Sequence, residues 1–268
     1  MNANENKIPE ELKILSVGNS FAHDTMKLLA EVALSLGVKK ITLGNLYIGG
    51  CSINRHWSNA QNDTPGYNYH TNDGSGWEIT PEYKMSDAIK SEKWDVISIQ
   101  HGTGDKSKYT QEASYENLPA LVAYVKNIAW DGAKIAFNMA WVGEPYKEHS
   151  EIISYNGDMP LMYRNLTRIT RDLVAKVEGI DIVSPTGTAV QNARALCPGR
   201  DFTRDGFHLS KDIGRYMASL TFFKALTGAS IRGVTWVPEG VSDEDRELAI
   251  RCAEMAIENP FEITNPND

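Results

Sequence analysis

A chain of 268 residues, 41% hydrophobic and 23% charged, can bury the core of one sizeable domain and does not compel a second. Its formal charge of -8, with Lys and Arg scattered, excludes the clustered basic surface from which nucleic-acid binders draw their affinity. No apolar run approaches the roughly 20 residues of a membrane span, and the stretch from Met1 to Lys7 lacks the apolar core of a signal peptide.

Cys51, Cys197 and Cys252 have neither CxxC nor Cys/His ligand spacing, so they read as buried free thiols rather than a disulfide framework or a zinc site. No metal and no organic cofactor is expected, and no nucleic-acid or membrane partner. A cytoplasmic protein is the default expectation, and an exported one whose leader has been removed is the alternative.

Residues 1–10 read as a disordered tail and 11–260 as a single domain. Short Val-, Ile- and Leu-rich runs at 13–17, 40–46, 95–100, 134–139 and 181–183 alternate with segments of helical period. These lie at 25–36, 81–91, 112–128, 160–177, 187–195, 211–226 and 243–257. Apolar strands separated by helices mark a parallel sheet covered on both faces. The expected fold is α/β, a flavodoxin-like three-layer sandwich with a parallel sheet of about five strands. In such a sheet the loops after the carboxyl ends of the strands line the ligand crevice.

The polar stretch 54–80 has no clear period and holds Trp57, Tyr67, Tyr69, His70 and Trp77 among Asn, Asp, Thr and Gly. Long irregular segments inside compact domains are usually functional, and rings set among polar residues suit a carbohydrate. Equally, the segment is a surface insertion whose rings pack back on the domain.

Ser20 follows the apolar strand 13–17 and a Gly18-Asn19 turn, at the mouth of the next helix, where backbone N–H groups are unpaired. A serine here is either a helix cap or a nucleophile. Far downstream, Asp205-Gly206-Phe207-His208 sets a carboxylate three residues before an imidazole. One turn of chain can then place Asp205 on Nδ1 of His208 and leave Nε2 to take a serine proton. Standing alone, that pair would read as a surface loop beside a helix cap. With Ser20 it completes a hydrolytic triad.

Acyl transfer also needs donors for the oxyanion. The Ser20 N–H is one, and Gly50, after the second strand, offers another with no side chain in the way. The third is Gln100, at the start of the loop Gln100-His101-Gly102-Thr103-Gly104-Asp105. His101 is a competing base without a carboxylate fixed by spacing. Cys51, next to Gly50, is a competing nucleophile for a cysteine-dependent transferase.

Taken in order, Gly18-Asn19-Ser20, Gly50, the Gln100 loop and Asp205-x-x-His208 resemble the four blocks of the SGNH (GDSL-type) hydrolases over residues 13–225. In that family the blocks supply the serine, a glycine donor, an asparagine donor, and the aspartate and histidine. Two departures stand out. Asn19 replaces the usual aspartate, which is not the triad acid and so matters little. Gly102-Thr103-Gly104 replaces Gly-x-Asn; branches acting on acetylated carbohydrates carry a glutamine at this strand end, which gives the role to Gln100.

The resemblance implies a serine esterase for short acyl groups, with Ser20 as nucleophile, His208 as base, Asp205 orienting it, and Ser20, Gly50 and Gln100 holding the oxyanion. The ring-rich insertion points to O-acetyl groups on a glycan or another small-molecule ester. The rival reading is a carbohydrate-binding protein that keeps the fold with weakened catalysis.

Overall fold

The computed structural model describes residues 6–103 and 108–264. Along the chain it runs β1 (Glu11–Gly18), α1 (Ser20–Met26), α2 (Leu29–Leu36), β2 (Lys40–Tyr47), α3 (Ile53–Gln61), β3 (Tyr67–Asn72), β4 (Glu78–Tyr83), α4 (Met85–Lys90) and β5 (Val96–Ile99). It continues α5 (Leu118–Ile128), β6 (Lys134–Asn138), α6 (Ser150–Ile153), α7 (Met159–Asp172), β7 (Ile182–Ser184), α8 (Thr186–Leu196), α9 (Ile213–Thr227) and α10 (Asp243–Glu258). The strands form one sheet in the order β4-β3-β2-β1-β5-β6-β7.

Strands β2, β1, β5, β6 and β7 are parallel and correspond to the five apolar runs. The all-parallel sheet of about five strands becomes a mixed sheet of seven, because β3 pairs antiparallel with β2 and β4 antiparallel with β3. This hairpin begins inside the stretch that lacked a period and runs three residues past it. Its turn is made by side chains: Asn72 Oδ1 accepts the N–H groups of Gly74 and Gly76 at 2.8 and 3.2 Å, and Asp73 Oδ1 accepts that of Ser75 at 3.0 Å. β4 also takes the start of the expected helix 81–91, leaving only Met85–Lys90 helical.

Leu12, Ile14, Leu43, Val96 and Ala136 face one apolar cluster, completed by side chains of α1, α2, α8, α9 and α10. Leu15, Val17, Leu46, Ile97, Ile99 and Phe137 face the other, completed from α3, α4 and α5. Each buried Leu, Ile, Val or Phe contributes about 1.5–3 kcal/mol. Both faces of the central strands are therefore dry, which is why they read as continuous apolar runs.

The expected helix 25–36 starts five residues earlier and is broken in two. At the break the Lys27 carbonyl accepts the Trp77 indole N–H at 3.2 Å, giving a carbonyl at the end of α1 a side-chain partner from the hairpin. Of the tail expected over 1–10, residues 1–5 lie outside the described residues. Asn6 is tied down, donating from its backbone to Gly228 O at 3.1 Å and from its side chain to Thr227 O at 2.8 Å.

Candidate active site

A Cβ on Gly18 would stand 2.2 Å from the Ala22 Cβ, so only glycine lets β1 turn directly into α1. Asn19 is the helix cap, its Oδ1 accepting the Phe21 N–H at 2.9 Å. Ser20 is thus the first helical residue rather than the cap, and its hydroxyl makes no hydrogen bond among the described residues. Asn19 does more than cap. It is fully buried, and its Nδ2 donates to Cys51 O at 3.3 Å and Gln100 O at 3.4 Å, tying together the turns after β1, β2 and β5. The asparagine in place of the usual aspartate thus supplies a donor that a carboxylate would lack.

Gly50 holds a left-handed φ of +65° beside this junction. Gly102 donates its N–H to Cys51 O at 2.8 Å, and a Cβ on it would lie 2.5 Å from that oxygen and 2.6 Å from Gly50 C. The Gly50 turn is therefore packed against the backbone of the β5 loop. Gln100 is fully buried, and neither its Nε2 nor its Oε1 has a partner among the described residues. A buried amide without partners costs about 1–3 kcal/mol, so Gln100 lowers the stability of the fold where it stands. His101 is buried against Tyr115, its Nδ1 against Gly102 O and its Nε2 3.2 Å from Ser114 O. Burial drives its pKa down to about 4, and both ring nitrogens face backbone carbonyls. Gly104 and Asp105 lie outside the described residues.

On the far side, His208 Nδ1 is 2.8 Å from Asp205 Oδ2, while Asp205 Oδ1 accepts the N–H groups of His208 and Phe207 at 2.7 and 3.0 Å. Burial works to raise the Asp205 pKa, but the hydrogen bonds from the His208 side chain and backbone, its charge, and the Phe207 N–H outweigh it and hold the carboxyl at about 2. The loop is closed by Arg204 N–H donating to His208 O at 2.9 Å, with Gly206 at φ +77°. A carboxylate fixed on Nδ1 leaves Nε2 as the reactive nitrogen.

Two anchors hold this loop. The Trp141 indole N–H donates to Phe207 O at 2.7 Å, and the Glu144 N–H to Gly206 O at 2.7 Å, both from the loop after β6. From α1, Asp24, fully buried, accepts the Leu209 N–H at 3.0 Å and pairs with Arg204 at 2.9 Å and Arg215 at 2.7 Å. Sequence reasoning passed over Asp24; its only signal was a carboxylate four residues after the serine, in a helix that also carries His23 and Thr25. The Phe21 ring stands 6.3 Å from the His208 ring and 4.9 Å from Phe207, so the residue after Ser20 packs directly on the histidine loop. A hydrogen bond between Ser20 Oγ and His208 is not among those of the described residues; such contacts commonly tighten only when substrate binds.

Cys51 is fully buried with its Sγ 3.4 Å from His56 Nδ1, and burial pushes the Cys252 thiol up to about 12. Most rings of the 54–80 stretch pack back on the domain: Trp57 against Tyr124, Tyr67 against His56, Tyr69 against Tyr83, and Trp77 beneath the Lys27 ammonium. His70 turns instead toward His23 of α1, ring centroids 5.5 Å apart. Among the described residues no cluster of His, Cys, Asp and Glu has metal-binding geometry, and no helix is long and apolar enough to cross a membrane.

Residues 13–256 match the family described as Domain of unknown function (DUF4886). This chain belongs to the DUF4886 family. A DUF4886 family protein from Bacteroides uniformis shares 32% identity over 96% of this chain and 98% of its own, with a TM-score of 0.89. Beyond the DUF4886 family, a protein from Parabacteroides merdae named for its likeness to GDSL lipases superposes with a TM-score of 0.50 at 16% identity, covering 84% and 99% of the two chains. An acetylxylan esterase from Geobacillus stearothermophilus gives 0.47 at 16% identity over 87% and 100%. No curated protein matches the sequence. The fold is thus an α/β/α sandwich like that of the GDSL-like protein.

Proposed function

We propose that this DUF4886 protein is an SGNH-type serine esterase acting on short acyl esters. Ser20 attacks the ester carbonyl as His208 Nε2 takes its proton, and the tetrahedral intermediate expels the alcohol, which leaves with that proton. Water then attacks the acyl-enzyme as His208 takes its proton, and the acyl–serine bond breaks, releasing the carboxylic acid while His208 returns the proton to Ser20 Oγ. Asp205 holds His208 on its Nδ1 and stabilises the imidazolium. Ser20 N–H, Gly50 N–H and the Gln100 amide receive the oxyanion. The observation that carries this reading is the 2.8 Å contact of His208 with Asp205, on a loop anchored by Asp24 to the helix that Ser20 begins. The uncommitted Ser20 hydroxyl and the unpaired Gln100 amide are consistent with it. The reading extends to O-acetyl esters of a glycan or another small molecule as the substrate class.

A fluorophosphonate probe tests this reading: it should label the wild-type protein at Ser20 and leave Ser20→Ala and His208→Ala unlabelled. Labelling elsewhere, or none, would return the protein to the rival reading of a binding protein with this fold.

A further inference from the structure

Three polar rings meet beside the proposed oxyanion loop and belong to neither apolar cluster: His23 on α1, Tyr47 at the end of β2 and His70 on β3. Tyr47 and His70 stack with centroids 5.2 Å apart at 21°, and the His23 ring stands edge-on to both, at 5.9 and 5.5 Å. Their position is tied to the site from two directions. His23 lies three residues after Ser20, on the same side of α1. Tyr47 is the register partner of Gly18, and its hydroxyl lies 3.6 Å from where a Cβ on Gly49 would stand.

These rings hold five polar atoms, and among the described residues none makes a hydrogen bond, although His70 is only 7% exposed. Burial lowers both imidazoles, His23 to about 4, with Arg215, His70, Lys27 and Arg204 adding to the effect on His23 and Lys27 to that on His70. At neutral pH each ring therefore presents one donor and one acceptor without charge. Uncharged polar edges that both donate and accept complement a saturated ring that carries hydroxyl groups, whose O–H groups likewise donate and accept. An aliphatic alcohol would leave those edges unpaired.

We infer that His23, Tyr47 and His70 form the subsite for the hydroxyl-bearing ring of the ester's alcohol part. The inference rests on the esterase reading only for the word alcohol; ring binding itself needs no chemistry. The test therefore uses full-length Ser20→Ala protein and mono-O-acetyl methyl glucopyranosides, with affinity read from NMR shifts of the ligand and of the histidine ring protons. Tyr47→Phe and His70→Phe keep the ring packing and remove polar edges, and each should weaken binding tenfold or more at an unchanged melting temperature. Absence of binding in the parent, or affinity unaltered in both variants, would overturn the subsite. In protein with Ser20 intact, the same substitutions should lower kcat/KM for these sugars relative to p-nitrophenyl acetate, mainly through KM. A wild-type protein that binds the sugars but hydrolyses no ester would instead sink the esterase reading alone.

Discussion

Asp24 accepts the backbone N–H of Leu209, the residue after His208, at 3.0 Å across 185 positions of sequence. One carboxylate thereby fixes the distance between the helix that Ser20 begins and the loop that carries the imidazole. Asp24→Asn keeps the shape but leaves Arg204 and Arg215 facing a neutral amide. Removing one partner of a buried ion pair costs about 3–5 kcal/mol. We expect a loss of that order in chemical denaturation, and a kcat lower by more than the remaining folded fraction explains.

Asn19 separates two roles that a single residue performs. Asp caps a helix as well as Asn does, so Asn19→Asp should preserve the bond to Phe21 N–H. It cannot donate, however, and would turn a carboxylate toward the carbonyls of Cys51 and Gln100. Calorimetry should show Asn19→Asp destabilised by about 1–3 kcal/mol, the cost of buried acceptors without a donor. Stability equal to wild type would mean that the cap is all this side chain provides.

Gly102→Ala should act on catalysis more than on binding. The added methyl would lie 2.7 Å from the Gly50 carbonyl oxygen and must displace that turn. Loss of one oxyanion donor costs on the order of 10²–10³ in kcat. Steady-state kinetics with p-nitrophenyl acetate should show a fall in kcat of that kind with KM little altered.

Glu151 supplies a dependence on pH. Burial raises its pKa to about 7, against the opposing hydrogen bonds from the Thr110 side chain and backbone and from the Tyr109 backbone, and the charge of Lys108. A carboxyl whose folded value exceeds its unfolded value of 4.5 binds more protons in the folded state, so stability declines as pH rises from about 4.5 to about 7 and is level above. The decline amounts to roughly 3 kcal/mol. Glu151→Gln keeps an oxygen for Thr110 and should abolish this slope in urea titrations at successive pH values. A slope unchanged in the variant would assign it to other groups.

Much of the local geometry of the candidate site was legible because its parts are short and local. A carboxylate three residues before an imidazole can close on it whatever the rest of the chain does, and Asp205 and His208 do so. Gly18-Asn19-Ser20 after an apolar strand fixes a turn into a helix by sterics alone. The hairpin was not legible, because β3 alternates tyrosine with polar residues, β4 is a mostly exposed strand that contains Pro81, and the turn is stabilised by Asn72 and Asp73 side chains. Nor did the composition of 54–80 reveal which ring faces α1, since this depends on the register of β3 against β2, where His70 stands opposite Asn45.

What the sequence by itself determined is the chemistry within each loop and the apolar runs that make a parallel sheet, both set by neighbours a few residues apart. Tertiary structure alone decided how those loops share partners. Asn19 joining three turns, Asp24 holding the histidine loop, and His23, Tyr47 and His70 meeting beside Gly49 all unite residues distant in sequence. Their contacts exist only once strand order and register have set which ends are adjacent.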